Sequence, residues 1–212
     1  ADTAMLEAGH HFVQRSFPQS ELEGSARLYW SGGIELNRDA TIGFLRPKVV
    51  GGGSIVNQAL MDDLDDGILN EWRQASDIPF FSSTELNPYF RAVEDNLAIQ
   101  EIPEEHWNDN ARRFVQGCER IGVRWEKLKR AQRDCRYEDG NDCIACLNGC
   151  RIGSKQSMVE TALRDALQNG LSLFANCEAK TITHKGNLVE VQTFNRGHHQ
   201  TFIARNLILA AG

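Results

Sequence analysis

The 212-residue sequence has no uninterrupted apolar stretch near the ~20 residues that a membrane-crossing helix requires. Its longest such run is the closing Leu207-Ile208-Leu209-Ala210-Ala211. Nor is there an excess of positive charge: 29 Asp and Glu outnumber 23 Lys and Arg, for a net charge of −6. Phosphate binding wants clustered Lys and Arg, so nucleic acid is disfavoured as the main partner. The densest basic segment, from Lys127 to Arg136, is flanked by Glu126 and interrupted by Asp134. Residues 1–7 lack the basic end and long apolar core of a secretory signal. There is no initiating Met, and the sequence opens and closes at apolar runs, where native termini are usually polar and loose. The expectation is a segment of a longer chain. Internal repeats and low-complexity tracts are absent as well.

Several signatures are missing. No Gly-Lys-Ser/Thr follows a glycine-rich loop, and no G-x-G-x-x-G is present. The acidic run from Asp62 to Asp66 lacks EF-hand spacing with a closing Glu and reads as a solvated turn. His10, His11, His106, His198 and His199 stand in loops without the Ser or Cys partners of a triad. Trp30, Trp72, Trp107 and Trp125 read as packing residues. Six cysteines, at 118, 135, 143, 146, 150 and 177, are too few and too spread to form a small disulfide scaffold in a chain this long.

What remains is an ordinary globular composition, 41% hydrophobic and 25% charged, that alternates strand, loop and helix signals. The fold class is α/β, in part α+β. Ala4-Met5-Leu6 reads as a strand stopping at Glu7-Ala8-Gly9. Residues 10–47 have no sustained periodicity and read as an extended excursion. Gly51-Gly52-Gly53-Ser54 opens a helix through Ile55, Val56, Ala59 and Leu60. Ser82-Ser83-Thr84-Glu85 looks like a capping box, with Pro88 in the first turn of the helix behind it. A second helix runs from Asn110 to Ile121, with Phe114, Val115, Cys118 and Ile121 on one face and Gly122 as its stop. Another spans 157–168. Strands follow at 171–175, 179–183, 188–194 and 200–203, with hairpin turns at 185–187 and 195–197. The last segment, 206–211, reads as a buried parallel strand.

Four features carry chemistry. Three successive glycines before a helix let the backbone turn tightly and let a ligand approach, and the helix start favours an anion. A Gly-rich turn with no ligand is an equal alternative. Glu7 ends a strand as the ribose-binding acid of a dinucleotide unit does, although its glycine fingerprint would have to precede residue 1. Cys143, Cys146 and Cys150 have C-x2-C-x3-C spacing that suggests zinc or an iron–sulfur cluster. No fourth ligand stands nearby, so a tight loop of half-buried thiols or a local disulfide is the preferred reading. The small residues of 207–212 would let a cofactor pack against a strand.

In chain order these features resemble the glucose–methanol–choline (GMC) family of flavin oxidoreductases. The match runs through Leu6-Glu7-Ala8-Gly9, then Val50-Gly51-Gly52-Gly53-Ser54-Ile55-Val56-Asn57, then Glu85 to Phe90. It continues through Gly149-Cys150-Arg151-Ile152-Gly153-Ser154-Lys155-Gln156-Ser157 to Asn206–Gly212. The cysteine spacing is similar to the branch of long-chain alcohol oxidases and cholesterol oxidases, in which these cysteines are not generally cluster ligands. The resemblance implies an incomplete FAD-binding domain: a cofactor-binding segment at 1–61, a helical, irregular insertion over the flavin at 62–150, and a helix, three-stranded antiparallel meander and returning core strand at 151–212. It implies a small-molecule alcohol substrate oxidised by hydride transfer to the flavin N5, with electrons passed to oxygen, a quinone or a cytochrome.

By the same resemblance Glu7, Ala8 and Gly9 hold the adenosine ribose. Val50, Gly51, Gly52, Gly53 and Ser54 line the flavin and pyrophosphate. Asn57, Gln58 and Ala59 lie beside the flavin ring, Ala179 contacts the adenine, and Ala210, Ala211 and Gly212 pass the adenosine half. No metal site and no catalytic residue is assigned, the family's His base lying in a segment beyond this sequence. Pro47, Gln58 and Met61 depart from the family's usual residues, and the side chain of Gln58 is expected to turn away from the flavin. FAD binding by this chain alone is expected to be weak. A cysteine-based metal module and a non-catalytic binding domain of flavoprotein ancestry are the competing readings.

Overall fold

A computed structural model describes residues 2–62, 64–135 and 144–211. The elements in chain order are β1 (Ala4–Leu6), α1 (Glu21–Leu28), β2 (Tyr29–Leu36), β3 (Gly43–Pro47), α2 (Gly53–Val56), β4 (Leu60–Met61), α3 (Asp66–Ser76) and α4 (Ser83–Asn96). There follow β5 (Ile99–Glu101), α5 (Asp109–Ile121), β6 (Lys129–Ala131), α6 (Ala162–Gln168), β7 (Ser172–Phe174), β8 (Cys177–Lys185), β9 (Leu188–Asn195) and β10 (His198–Ala204). Short 3-10 turns occupy Gln14–Ser16, Glu104–His106 and Ile144–Asn148. The architecture is mixed α/β, as the sequence pattern requires. No helix among the described residues is long and apolar enough to cross a membrane.

Four small sheets are built on these strands. β1 and β7 pair in parallel, Ala4 opposite Ser172 and Leu6 opposite Phe174. β8, β9 and β10 form the antiparallel meander. Its turns are two residues long, with positive φ at Gly186 in the first and at Arg196 and Gly197 in the second, backbone that matches the twist of the flanking strands. Along β9 the burial alternates, Val189, Val191 and Thr193 inward and Leu188, Gln192 and Phe194 outward, the period of two read from the sequence. Thr193 is fully enclosed and satisfies its hydroxyl by donating to the Gln200 carbonyl, 3.0 Å away. β2 and β3 make a hairpin, and β4, β6 and β5 a third antiparallel sheet.

The central apolar cluster is Phe12, Phe17, Leu28, Val49 and Ile55, with Tyr29, Val56 and Val159 against it. Residues from the stretch 10–47, from the start of α2 and from the segment before α6 therefore share one core. Complete burial of a side chain such as Leu28 stabilises by about 1.5–3 kcal/mol.

The stretch 10–47 is more regular than its sequence suggests. Ser20 caps α1 by accepting from the Glu23 amide, but only Gly24 and Leu28 of that helix are buried, which leaves no apolar period to read. α3 likewise buries only Leu69, and Asp65 of the acidic run is its N-cap, accepting from the Ile68 amide at 2.9 Å. α4 begins where the capping box puts it, with Ser82 accepting from the Glu85 amide. Pro88 consequently falls inside the helix and not in its first turn. α5 matches its expected span and ends at left-handed Gly122, yet of its apolar face only Cys118 is buried while Phe114 and Ile121 are exposed. α6 is shorter than expected because Thr161 departs from helical geometry, so 157–161 forms turns. The segment 206–211 is not a strand. No described strand lies beside it to take its hydrogen bonds, and Ile208 and Leu209 stand exposed.

Candidate cofactor site

β1 delivers Glu7 to the end of the two-stranded parallel sheet. The Glu7 carboxylate closes a tight turn by accepting from the Gly9 amide through Oε1 at 2.6 Å. Its pKa is raised, first by burial and against the pull of that hydrogen bond and of Lys48. The Glu7 amide donates to Phe174 O at 3.0 Å, and the Cys177 amide donates to Glu7 O at 2.8 Å. β1 is thereby stitched to β7 and to the start of β8. The second carboxylate oxygen, Oε2, has no hydrogen-bond partner among the described residues.

Gly9 sits against the segment that leads into the glycine turn. A Cβ there would lie 2.2 Å from the backbone of Lys48 and Val49, closer than any side chain tolerates. The close approach is used at once: the Val50 amide donates to His10 O at 3.0 Å, and His10 and Val49 form a parallel bridge. The strand-end acid and the glycine turn, remote in sequence, thus become neighbours. In that turn Gly51 and Gly52 have φ of 95° and 53°, backbone that favours glycine. A Cβ on Gly52 or Gly53 would meet nothing within 4 Å, so this face of the backbone is open.

α2 is only one turn long, where the sequence pattern suggested a helix reaching Leu60. The Asn57 side chain ends it. Its Oδ1 accepts from the Ala59 amide at 3.0 Å, an Asx turn that competes with helix. Ala59 then takes a left-handed φ of 57° and is buried, while Asn57 and Gln58 are exposed. The Ala131 amide donates to Ala59 O at 2.8 Å, which turns the chain into β4.

Beneath this turn lies a group that sequence reasoning left without a role. Lys155 is 2% exposed. Its Nζ donates to the carbonyls of Ile55, of Asn57 at 2.9 Å and of Cys146 at 2.7 Å. Three acceptors satisfy the three N–H bonds of an ammonium. Burial pulls the Lys155 pKa down to about 8; ionised Cys146 and Cys150 would draw it back up, and Arg130 pushes it further down. Arg130, on β6, donates to Gln58 O from Nε at 3.2 Å and from an Nη at 2.8 Å. The carbonyls of residues 55, 57 and 58 are therefore drawn toward two cations. Among the described residues the Gln58 amide has no hydrogen-bond partner.

The Cys146 thiol, buried, lies within 3.4 Å of Gln132 Nε2 and 3.6 Å of an Arg130 Nη. Cys150 accepts from the Lys155 amide at 3.4 Å. Cys118, Cys150 and Cys177 are free thiols. Cys143 lies outside the described residues, and among those described no group of three or more His, Cys, Asp or Glu could hold a metal.

A sequence model of the GMC oxidoreductase family matches residues 25–212. The chain belongs to this family. Similar GMC-type relatives include two long-chain-alcohol oxidases of Arabidopsis thaliana. FAO4B is 30% identical over 176 residues, 83% of this chain and 23% of that protein. FAO3 is 29% identical over 197 residues, 92% of this chain and 25% of that protein. A GMC-type oxidoreductase of Sinorhizobium fredii, y4nJ, is 31% identical over 182 residues, 84% of this chain and 34% of it. The chain thus spans about a quarter of the length of the plant oxidases. In structure it is similar to pyridoxine 4-oxidase from Mesorbium loti, with a TM-score of 0.70, 16% identity, and coverage of 99% of this chain and 44% of that one. That likeness is one of fold.

Within this GMC chain the contacts of Gly9 and His10 with residues 48–50 join the first two groups singled out from the sequence. Glu7, Ala8 and Gly9, Val50 to Ser54, and Asn57 to Ala59 lie along one connected run of backbone. Ala179 is exposed on β8, beyond the Cys177 amide that bonds Glu7. Ala210 and Ala211 are exposed in an irregular segment, where the strand expected from the sequence does not form. Gly212 lies outside the described residues. Lys155 was visible only as part of the motif Gly153-Ser154-Lys155, and Arg130 not at all, because β6 is three residues long.

Proposed function

We propose that this chain holds FAD in an oxidoreductase that oxidises the CH–OH group of an alcohol. One observation carries the reading: the His10–Val50 hydrogen bond brings an acceptor-bearing strand end and an open glycine turn side by side. The residues present fit the cofactor. Glu7 keeps a carboxylate oxygen unpartnered for the ribose hydroxyls, and Gly52 and Gly53 offer backbone without Cβ atoms for the pyrophosphate region. The amides of Asn57 and Gln58 would lie at the flavin ring, and the exposed Gln58 side chain is free to turn aside. Ala179 would face the adenine. FAD supplies a two-electron acceptor for the alcohol carbon; the protein supplies binding, orientation and electrostatics.

The likeness to long-chain-alcohol oxidases supports a long aliphatic primary alcohol as substrate. The segmentation into 1–61, 62–150 and 151–212 belongs to the same reading. The test uses the full-length protein. Its flavin absorbance and anaerobic bleaching by a series of primary alcohols are measured, with Gly52→Val and Glu7→Gln beside it. Stoichiometric flavin bleached by alcohol, and loss of flavin from Gly52→Val, are expected. A colourless full-length protein that takes up no added FAD overturns the proposal.

A further inference from the structure

The feature not absorbed by the family's chemistry is the pair of cations beneath the turn at 55–59. Lys155 is buried with three backbone carbonyls and no carboxylate among its hydrogen-bond partners. Burying an ammonium is costly unless its surroundings satisfy it, and a Met of similar length would fill the space without a charge. The ammonium does what Met could not. It joins the last carbonyl stretch of α2 to the Cys146 carbonyl, across the 3-10 turn Ile144–Asn148. Arg130 adds a bidentate grip on the next carbonyl, Gln58 O. A peptide whose carbonyl is drawn to one side presents its N–H on the other, because the unit is planar. Two gripped carbonyls, at Asn57 and Gln58, belong to the peptides whose amides are those of Gln58 and Ala59. The Ala59 amide is taken by Asn57 Oδ1; the Gln58 amide is the one left to donate outward.

We propose that Lys155 and Arg130 are positioning residues: Lys155 fixes the Asn57–Gln58 peptide and Arg130 the Gln58–Ala59 peptide that follows, so that the Gln58 N–H is aimed at the flavin. The proposal rests on the cofactor placement given above. Lys155 makes no contact with substrate or cofactor in this account; it acts through backbone. Donors held near a ring that gains negative charge on reduction favour the reduced state.

The experiment measures the midpoint potential and visible absorbance of the flavin in the full-length, FAD-loaded protein. The variants are Lys155→Met, Arg130→Met, Gly52→Val and, as a control in the meander, Thr193→Ala. Lys155→Met is expected to lower the equilibrium constant for two-electron reduction about tenfold, which is a fall of about 30 mV. Arg130→Met, whose side chain is only partly buried, is expected to shift it roughly threefold in the same direction, and it decides the matter if Lys155→Met does not fold. Thr193→Ala should loosen the fold and leave the potential where it was, so a shift of equal size there would reduce Lys155 to a structural role. If Gly52→Val loses FAD while both clamp variants keep the parental potential, the inference is overturned. If Gly52→Val binds FAD like the parent, it is the underlying cofactor placement that fails.

Discussion

Lys155→Met removes a buried ammonium from beneath the turn at 55–59. Removing the ammonium leaves the carbonyls of Ile55, Asn57 and Cys146 without their donor. Each buried acceptor left unpaired costs about 1–3 kcal/mol. Against this stands relief of the burial penalty on the charge. A fall in pKa from 10.5 to about 8 corresponds to about 3.5 kcal/mol at about 1.4 kcal/mol per unit. The expected net loss at pH 7 is about 2–4 kcal/mol. The pH dependence is sharper evidence. A lysine with a depressed folded pKa holds fewer protons in the native state than in the unfolded state between pH 8 and 10.5. Its penalty is therefore fully present below pH 8 and is relieved as pH rises toward 10.5. The wild type should gain about 2.5 kcal/mol from this group between pH 7 and pH 10, and Lys155→Met should not. Urea titrations of both proteins at several pH values give the difference directly, since other titrating groups cancel in it. A variant as stable as the wild type at pH 7, or a difference that stays flat from pH 7 to 10, would show that no charged, buried ammonium holds these carbonyls.

Three further outcomes are expected. Gly9→Ala puts a Cβ 2.2 Å from the Lys48 and Val49 backbone; it should destabilise by about 1–3 kcal/mol and weaken FAD retention, and a variant with unchanged melting temperature and flavin content would count against the close approach. Glu7→Gln removes a carboxylate whose ionisation burial disfavours, so the apoprotein should melt no lower at neutral pH while FAD affinity, measured by flavin fluorescence, falls. Parallel losses in both measurements would show that Glu7 is structural. Leu28→Ala, at a completely buried site in the central cluster, should cost about 2–5 kcal/mol in chemical denaturation, and a smaller effect would mean the cluster closes around the vacancy.

The parts of this molecule legible in its sequence are those in which local chemistry decides. Glycines that terminate helices, the Ser82 cap and the two-residue hairpins of the meander each act within a few residues, so their patterns survive translation into structure. Val189, Val191 and Thr193 declare the inward face of β9 by alternation alone. The failures share a cause. α1 and α3 bury only one or two side chains each, so tertiary contact and capping hold them where periodicity cannot. α2 is cut short by the Asn57 side chain, a competition that counting apolar positions does not register. The site shows the same division: Glu7 and the glycine turn stand out by type and context. Lys155 does not, because two of the three carbonyls that give it meaning come from a segment about a hundred residues away. The final apolar run misled because composition marks a strand as buried only when a neighbouring strand is there to bury it.

The pairing of β1 with β7 has a consequence for the order of assembly. The meander closes through two-residue turns and can form early from local contacts, whereas β1 must search for a partner across nearly the entire sequence. Closing a loop costs entropy that grows with its length, by about 0.6 kcal/mol per doubling, and long-range pairing of this kind slows folding. Docking of β1 is what brings Glu7 to the glycine turn. The corner proposed to grip the ribose is thus among the last to form as the chain folds. Capture of the proposed cofactor would then come late in biogenesis and would lock a seam made by long-range pairing.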